Sequence, residues 1–286
     1  MTNFSLFGFG PWALNYVRAL STMKDVNLKS ILRLHPEKTK DNISDSYLVT
    51  SNIDKALDGV DAVIIASHPS SHKELSLQCL KRKLPVILEK PVALNFDDAY
   101  VILNSFEEKN VPILVNNIHL FSTAFETLKR DVHIWNPVHI YSEAGSQSPV
   151  RDYSSLLDWG PHDVSMALSI LGGSPESVEI NKTSNEYGDI FTIKLSLKES
   201  IAELKVGNGF SSKKRYFTVE HNGRSVVYDD MAIDKYVVDG RKVKIPHSDS
   251  LKRMILTFLN CINYDIKDWR FSTKFNLDVM NAITMD

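Results

Sequence analysis

Two short stretches of this chain carry residue types whose spacing could support proton chemistry. In "VILEKPVAL", Glu89, Lys90 and Pro91 follow directly on an apolar run. A lysine just beyond the C-terminal end of a buried strand stands where ligands bind in open α/β sheets, and there it could take part in proton transfer. Pro91 sets the direction of the chain after it. A lone lysine before a turn is ordinarily a solvated surface residue, and this context suits that reading poorly. In "LLDWGPHDVSMALSILGG", Asp158 and His162 stand four residues apart. His162 could be an acid/base positioned by a carboxylate such as Asp158. The pattern places a helix start near Pro161 or His162, where such a pair would more often cap the helix. A metal would need further ligands, and the sequence offers no convincing cluster of them.

A third stretch, "FSLFGFGPWALNY", opens the chain. It reads as a strand, a glycine turn and a helix. Gly8, Gly10 and Ala13 fill the three positions of G-x-G-x-x-G/A. The glycines permit a tight turn and close approach of a pyrophosphate, and the helix N-terminus supplies free N–H groups and its dipole. Pro11 sits near the first helical turn, where its missing N–H costs little. The pattern is weak alone, but it sits between a strand and a helix at the head of an alternating series. It therefore predicts dinucleotide binding.

The elements that must position these residues follow from periodicity. Through about residue 115, apolar runs alternate with helix-like segments: "NFSLFG", "NLKSILRL", "SYLVT", "DAVIIAS", "PVILE" and "VPILVNN" read as strands. Between them, "WALNYVRALSTM", "DKALDG", "SSHKELSLQCLKRK" and "NFDDAYVILNSFEEKN" read as helices, the last capped by Asn95. Such alternation implies a parallel, doubly wound α/β sheet of the Rossmann type. After about residue 132 the chain turns to strands of alternating pattern. These are "HIWNPVHIYSEA", "DIFTIKLSLKE", "IAELKVGNGF", "KRYFTVEHNGRSVVYDD" and "RKVKIP", with "HNGR" as a hairpin turn. Helices are expected at "HDVSMALSILGG", "SDSLKRMILTFLNCIN" and "STKFNLDVMNAITM". The expected division is 1–118, a dinucleotide-binding domain, and 119–286, an α+β domain with a largely antiparallel, open-faced sheet. In that division the final helix could pack back on the first domain.

Composition narrows the partners. A net charge near −2 advertises neither nucleic acid nor a membrane surface, and no apolar run approaches the roughly 20 residues of a bilayer span. Cys79 and Cys261 suit a reducing cytoplasm and offer neither a disulfide framework nor a zinc site. No secretion signal precedes the first strand, so a cytoplasmic protein is expected. At the end of the second strand, an acid would bind a ribose 2′-hydroxyl and an arginine would accommodate a 2′-phosphate. "ILRLHPEK" puts Arg33 there, with no carboxylate before Glu37. The cofactor is thus read as NAD(P), leaning to NADP. The alternative is a solvated arginine with NAD held by other contacts.

Gly8-Phe9-Gly10, "SHPSSHKE" from Ser67 to Glu74, Glu89-Lys90-Pro91 and Asp158…His162 together resemble the glucose–fructose oxidoreductase/inositol dehydrogenase (Gfo/Idh/MocA) family. The resemblance runs in the family's order and covers nearly the whole chain. It implies a sugar or cyclitol carbinol oxidised or reduced with NAD(P), and Lys90, Asp158 and His162 as the catalytic group. His162 would take the carbinol proton, and Lys90 would hold the substrate oxygen and share that proton. Gly8, Phe9, Gly10, Pro11, Trp12, Arg33, Glu89 and Lys90 would meet the cofactor, with Ser67, His68, Pro69 and His72 as part of its wall. Lys90, Asn117, His119, Asp158 and His162 would meet the substrate, and no metal is implied.

"GPWALNYVRAL", "NNIHLFSTAF" and the Asp158 segment look most like the branch acting on nucleotide-linked sugars, which commonly begins G-x-W-G-x-N-x-x-R. Trp12, Asn15 and Arg18 match, Ala13 replaces a glycine, and Leu14 stands where a basic residue is often found. Asn116, Asn117 and Thr123 also depart from the family pattern, near the expected substrate mouth. A free sugar, polyol or cyclitol remains a possible substrate, as does a non-catalytic dinucleotide-binding scaffold or sensor. The open sheet face implies a homodimer or homotetramer.

Overall fold

The computed structural model describes residues 1–35, 47–147 and 151–285. The chain divides into two compact units, Met1–Asn116 with Leu251–Thr273, and Asn117–Ser250 with Lys274–Asp286. Among the described residues no helix is long and apolar enough to cross a membrane.

The first unit alternates β1 (Thr2–Phe7), α1 (Ala13–Ser21), β2 (Val26–Leu32), β3 (Leu48–Thr50), α2 (Ile53–Leu57), β4 (Ala62–Ile65), α3 (His72–Lys81), β5 (Val86–Leu88), α4 (Phe96–Glu108) and β6 (Ile113–Val115). The strands pair in parallel in the order β3-β2-β1-β4-β5-β6. Every residue of β4 and β5 is buried, as a central parallel strand covered on both faces requires. Asn95 caps α4 by accepting from the Asp98 amide, as its place in the sequence predicts. The order reverses between β1 and β4, and that reversal opens the crevice where such sheets take ligands.

The second unit holds α5 (Thr123–Asp131), β7 (His139–Gly145), α6 (Ser155–Leu171) and seven further strands: β8 (Ser177–Asn185), β9 (Gly188–Leu197), β10 (Ser200–Gly207), β11 (Lys214–His221), β12 (Arg224–Asp229), β13 (Tyr236–Val238) and β14 (Arg241–Val243). They form one sheet in the order β14-β13-β12-β11-β7-β10-β9-β8, antiparallel except where β7 runs parallel to β10. Helix α6 packs on β7, β9 and β10, over an inner face built from Phe191, Ile193, Leu195, Ala202, Leu204 and Val206. The other face is polar and aromatic. There Glu143 accepts from Tyr141 at 2.8 Å and from Lys214 at 2.6 Å, and the rings of Tyr141 and Tyr216 lie 6.1 Å apart. In "HNGR", Asn222 and Gly223 adopt φ of 48° and 76°, the left-handed pair that a two-residue hairpin needs.

Two boundaries differ from the periodicity. The strand expected across "HIWNPVHIYSEA" begins only at His139, because Trp135 donates to the Val132 carbonyl in a turn and Pro137 has no N–H for a ladder. β8, with few buried side chains to give it a pattern, carried no readable strand signal. Helix α7 (Ser250–Tyr264) belongs, from Leu251 on, to the first unit, where Phe258 lies 6.2 Å from Phe4 of β1 and stacks on Phe271. The last helix, α8 (Thr273–Thr284), belongs from Lys274 to the second unit, where Asp278 accepts from Ser174 at 2.7 Å.

Candidate active site

The residues singled out above fall into two groups, one in each unit. In the first unit the glycine turn follows β1 at the switch point. Gly8 has φ of 94°, and a Cβ there would stand 2.6 Å from the Ala66 carbonyl oxygen and 2.7 Å from the Ser67 Cα. Any side chain would therefore push the turn away from the end of β4. Gly10 is the opposite case: a Cβ there would meet nothing within 4 Å and would fill the open space above the turn. These two positions fit a pyrophosphate cradle, closed on the protein side and open on the ligand side. The first turn of α1 holds no acidic residue, and its Ala13 and Asn15 amides donate to the Gly10 and Trp12 carbonyls at 3.0 Å each. Arg33 follows β2 directly, and its guanidinium lies 5.5 Å from the centroid of Phe9 in the same turn. Glu37 lies outside the described residues.

On the far side of the crevice, β4 runs into a single 3-10 turn, Pro69–Ser71. His68 caps it, its Nδ1 accepting from the Ser70 amide. The Ser71 hydroxyl donates to the His68 carbonyl at 2.8 Å, so in the 2.7 Å contact between the two hydroxyls Ser67 is the donor. His72 is fully buried, with Nδ1 3.0 Å from the Pro91 carbonyl and Nε2 3.2 Å from that of Ser67. Burial holds its pKa below the ordinary histidine value. This ring ties the end of β4 to the Lys90–Pro91 turn.

Lys90 follows β5, and Glu89 beside it is buried. One oxygen of Glu89 accepts from Trp12 Nε1 at 2.5 Å, Tyr16 Oη at 2.7 Å and Asn116 Nδ2 at 2.5 Å. Asn116 also donates to Tyr16 at 2.9 Å. Burial raises the Glu89 pKa above the usual carboxylate value, while the three donors and the Lys90 charge pull the other way. The carboxylate thus anchors α1 and its glycine turn to the ends of β5 and β6. Trp12 remains 45% exposed, so its outer surface stays available beside the turn.

In the second unit the helix carrying Asp158 and His162 starts earlier than its sequence suggests. Ser154 is the cap, accepting from the Leu156 amide at 3.2 Å, and Pro161 lies inside α6. Missing an N–H, Pro161 leaves the Leu157 carbonyl without its usual helical donor, a cost the buried helix absorbs. Asp158 and His162 are therefore not a capping pair but neighbours one turn apart on one helix face. Asp158 is mostly buried and accepts from Arg151 Nε at 2.8 Å. His162 is 9% exposed and meets the ring of His119 edge-on, the centroids 5.0 Å apart.

His119 was expected at the substrate. It is buried, and both its ring nitrogens face protein partners: Arg215 Nη1 lies 2.9 Å from Nε2, and the Tyr228 hydroxyl 2.9 Å from Nδ1. Asn117 is buried as well and donates to Asn276 at 3.2 Å. Thr123, another departure from the family pattern, donates to the Pro246 carbonyl at 2.9 Å. Tyr16, Arg151, Arg215 and Tyr228 were not legible as site residues, because each reaches its partner only through the fold. Arg151 alone had a local signal, standing seven residues before Asp158. Ser148 to Val150, just before it, lie outside the described residues. Among the described residues no three His, Cys, Asp or Glu side chains are grouped to hold a metal.

Comparison with known proteins adds what this chain is similar to. The model of the Gfo/Idh/MocA oxidoreductase family, NAD-binding Rossmann fold, matches residues 2–117. Myo-inositol 2-dehydrogenase of Thermotoga maritima is 27% identical over 198 residues, 64% of this chain and 55% of that protein. Glucose-6-phosphate 3-dehydrogenase of Bacillus subtilis is 27% identical over 117 residues, 39% of this chain and 32% of that protein. The chain thus spans only part, about half or less, of the length of these curated relatives. A crystal structure from Magnetospirillum magnetotacticum MS-1 superposes with a TM-score of 0.88 at 25% identity, covering 99% of this chain and 98% of that one. UDP-N-acetylglucosamine 3-dehydrogenase from Acidithiobacillus ferrooxidans shares the fold, with a TM-score of 0.84 at 17% identity over 98% of this chain and 95% of that one. With its glycine turn at the switch point of a six-stranded parallel sheet, its Glu-Lys-Pro after β5 and a second, mostly antiparallel sheet, the chain is similar to the Gfo/Idh/MocA oxidoreductases, whose NAD-binding Rossmann model its residues 2–117 match.

Proposed function

We propose that this chain is an NAD(P)-dependent oxidoreductase, leaning to NADP, that moves a hydride to or from a carbinol or keto carbon of a nucleotide-linked sugar. The observation that carries the reading is Lys90, set directly after buried β5 in a sheet whose switch point holds an open glycine turn. The nicotinamide, when bound, supplies the hydride acceptor or donor. Gly8, Phe9, Gly10, Pro11 and Trp12 hold the pyrophosphate at the N-terminal end of α1, and Arg33 meets a 2′-phosphate. Ser67, His68 and Pro69 border the cofactor, with His72 behind them. Lys90 holds the substrate oxygen and shares its proton. His162 takes the carbinol proton on oxidation and returns it on reduction, with Asp158 as its acidic neighbour on α6. Asn117 serves the substrate side.

In this reading residues 1–118 form the dinucleotide-binding domain and 119–286 the substrate domain, with 251–273 of the latter grouped with the first compact unit. The polar, aromatic outer face of the second sheet pairs subunits into a homodimer or homotetramer. Support for a sugar comes from the relatives named for inositol and glucose 6-phosphate, and for a nucleotide-linked one from the fold neighbour named for a UDP-sugar.

The test begins with NADH and NADPH titrations that follow bound-nicotinamide fluorescence. The expected outcome is tighter NADPH binding, a preference lost in Arg33→Asp. Turnover on a panel of nucleotide sugars should then vanish in Lys90→Ala with cofactor binding kept, and fall about 10²–10⁴-fold in His162→Ala. Binding of neither nucleotide would overturn the reading.

A further inference from the structure

Behind His162 the second unit buries a run of polar groups whose order fixes where each proton lies. Arg215 of β11 is 8% exposed, and its guanidinium lies 5.2 Å over the Trp159 ring and 3.8 Å from Asp163 of α6. A guanidinium only donates, so at 2.9 Å the Nε2 of His119 must accept from it. An imidazole whose Nε2 accepts carries its proton on Nδ1, which donates to the Tyr228 hydroxyl of β12 at 2.9 Å. Tyr228 in turn donates to Asp230 at 3.1 Å, and Lys235 donates to the same carboxylate oxygen at 2.6 Å. The chain thus has an obligate donor at one end and a carboxylate acceptor at the other, and its direction cannot reverse. A second proton on His119 would have to displace the guanidinium.

We propose that Arg215, His119, Tyr228 and Asp230 form a positioning chain behind His162, in which His119 is held as one neutral tautomer and buttresses the His162 ring. His119 is then a positioning residue and not a substrate contact. Among the described residues, charged groups approach the pair from several elements. His162 has Asp158 and Asp163 on its own helix, the first paired with Arg151 and the second facing Arg215. His119 has Arg215 from β11 and Tyr228 from β12, backed by Asp230 and Lys235. Two facing imidazoles at 5.0 Å could not both charge freely, and a neutral His119 leaves the proton to His162.

The assignment of His162 rests on the function proposed above, whereas the chain can be tested without turnover. Nitrogen and carbon NMR of the histidine-labelled protein, with His119→Gln and His162→Gln for assignment, reads tautomer and titration directly. The expected result is an Nδ1–H His119 that does not titrate between about pH 5.5 and 8, and a His162 that titrates in a single step. In Arg215→Met, His119 should titrate and the His162 curve should split into two coupled steps; Arg215→Lys, which keeps a donor, should restore the single step. Tyr228→Phe keeps the guanidinium and should leave His119 neutral, which covers the case in which Arg215→Met does not fold. An Nε2–H or titrating His119 in the intact protein would overturn the proposal, as would an unsplit His162 curve in folded Arg215→Met. Should turnover appear with a substrate, Arg215→Met should lower kcat about tenfold or more with the cofactor KM unchanged. A chain confirmed in a protein without turnover would condemn the oxidoreductase reading alone.

Discussion

Glu89 shows how a single side chain can hold a binding turn in place. Three donors, from the residue that precedes α1, from α1 itself and from a strand end, converge on one of its oxygens. Truncation removes the acceptor and leaves Tyr16 and Asn116 buried with only each other, while the half-exposed Trp12 can turn to water. Glu89→Ala is therefore expected to cost about 2–4 kcal/mol, at roughly 1–3 kcal/mol per orphaned buried group. Glu89→Gln, whose amide oxygen still accepts, should lose less than half of that. Urea unfolding followed by tryptophan fluorescence measures both, and equal losses would mean the hydrogen bonds to Glu89 contribute little. The sequence pointed to Glu89 through its neighbours Lys90 and Pro91, but not to Tyr16, which lies 73 residues away. A lone tyrosine on an apolar helix face has no pattern that separates it from core.

At the scale of elements, α6 decides what Asp158 and His162 are to each other. The tryptophan, glycine and proline between them read as a break, yet the helix runs through, with Ser154 as its cap and twelve of its residues buried. Tertiary packing overrode local propensity here: burial of a long apolar face outweighs one missing hydrogen bond. The cap is then a tractable test. Ser154→Ala should destabilise the protein by about 1 kcal/mol, while Ser169→Ala, late in the same helix, should change little. A loss at Ser154 no greater than at Ser169 would show that the first turn does not depend on its cap. The hairpin at Asn222-Gly223 and the Asn95 cap were legible in advance because their signals are complete within four residues.

The stability of the whole molecule should carry the mark of Asp163. It is fully buried on the inner side of α6, and desolvation pushes its pKa up from 3.8 to about 6, against the opposing pull of Arg215 and of Ser142. A carboxyl that is harder to ionise when folded favours the folded state while protonated. Its contribution is complete below about pH 4 and is lost as pH rises to about 6, amounting to about 3 kcal/mol at 1.36 kcal/mol per unit. Unfolding free energies measured across that window should fall with rising pH in the intact protein. In Asp163→Asn the slope should flatten, and an unchanged slope would assign the titration to other groups.

The order of strands and helices in the first unit, the antiparallel texture of the second, the glycine turn and the Lys90 position could be read from the chain alone. Each depends on periodicity or on residues within a few positions of one another. The tertiary structure alone decided which distant groups complete those motifs. It set Tyr16 and Asn116 on Glu89, Arg215 and Tyr228 on either side of His119, and residues 251–273 with the first unit. Sequence spacing carries no record of such meetings. They arise when strand order and helix packing bring buried polar groups together, and burial then obliges each to find a partner.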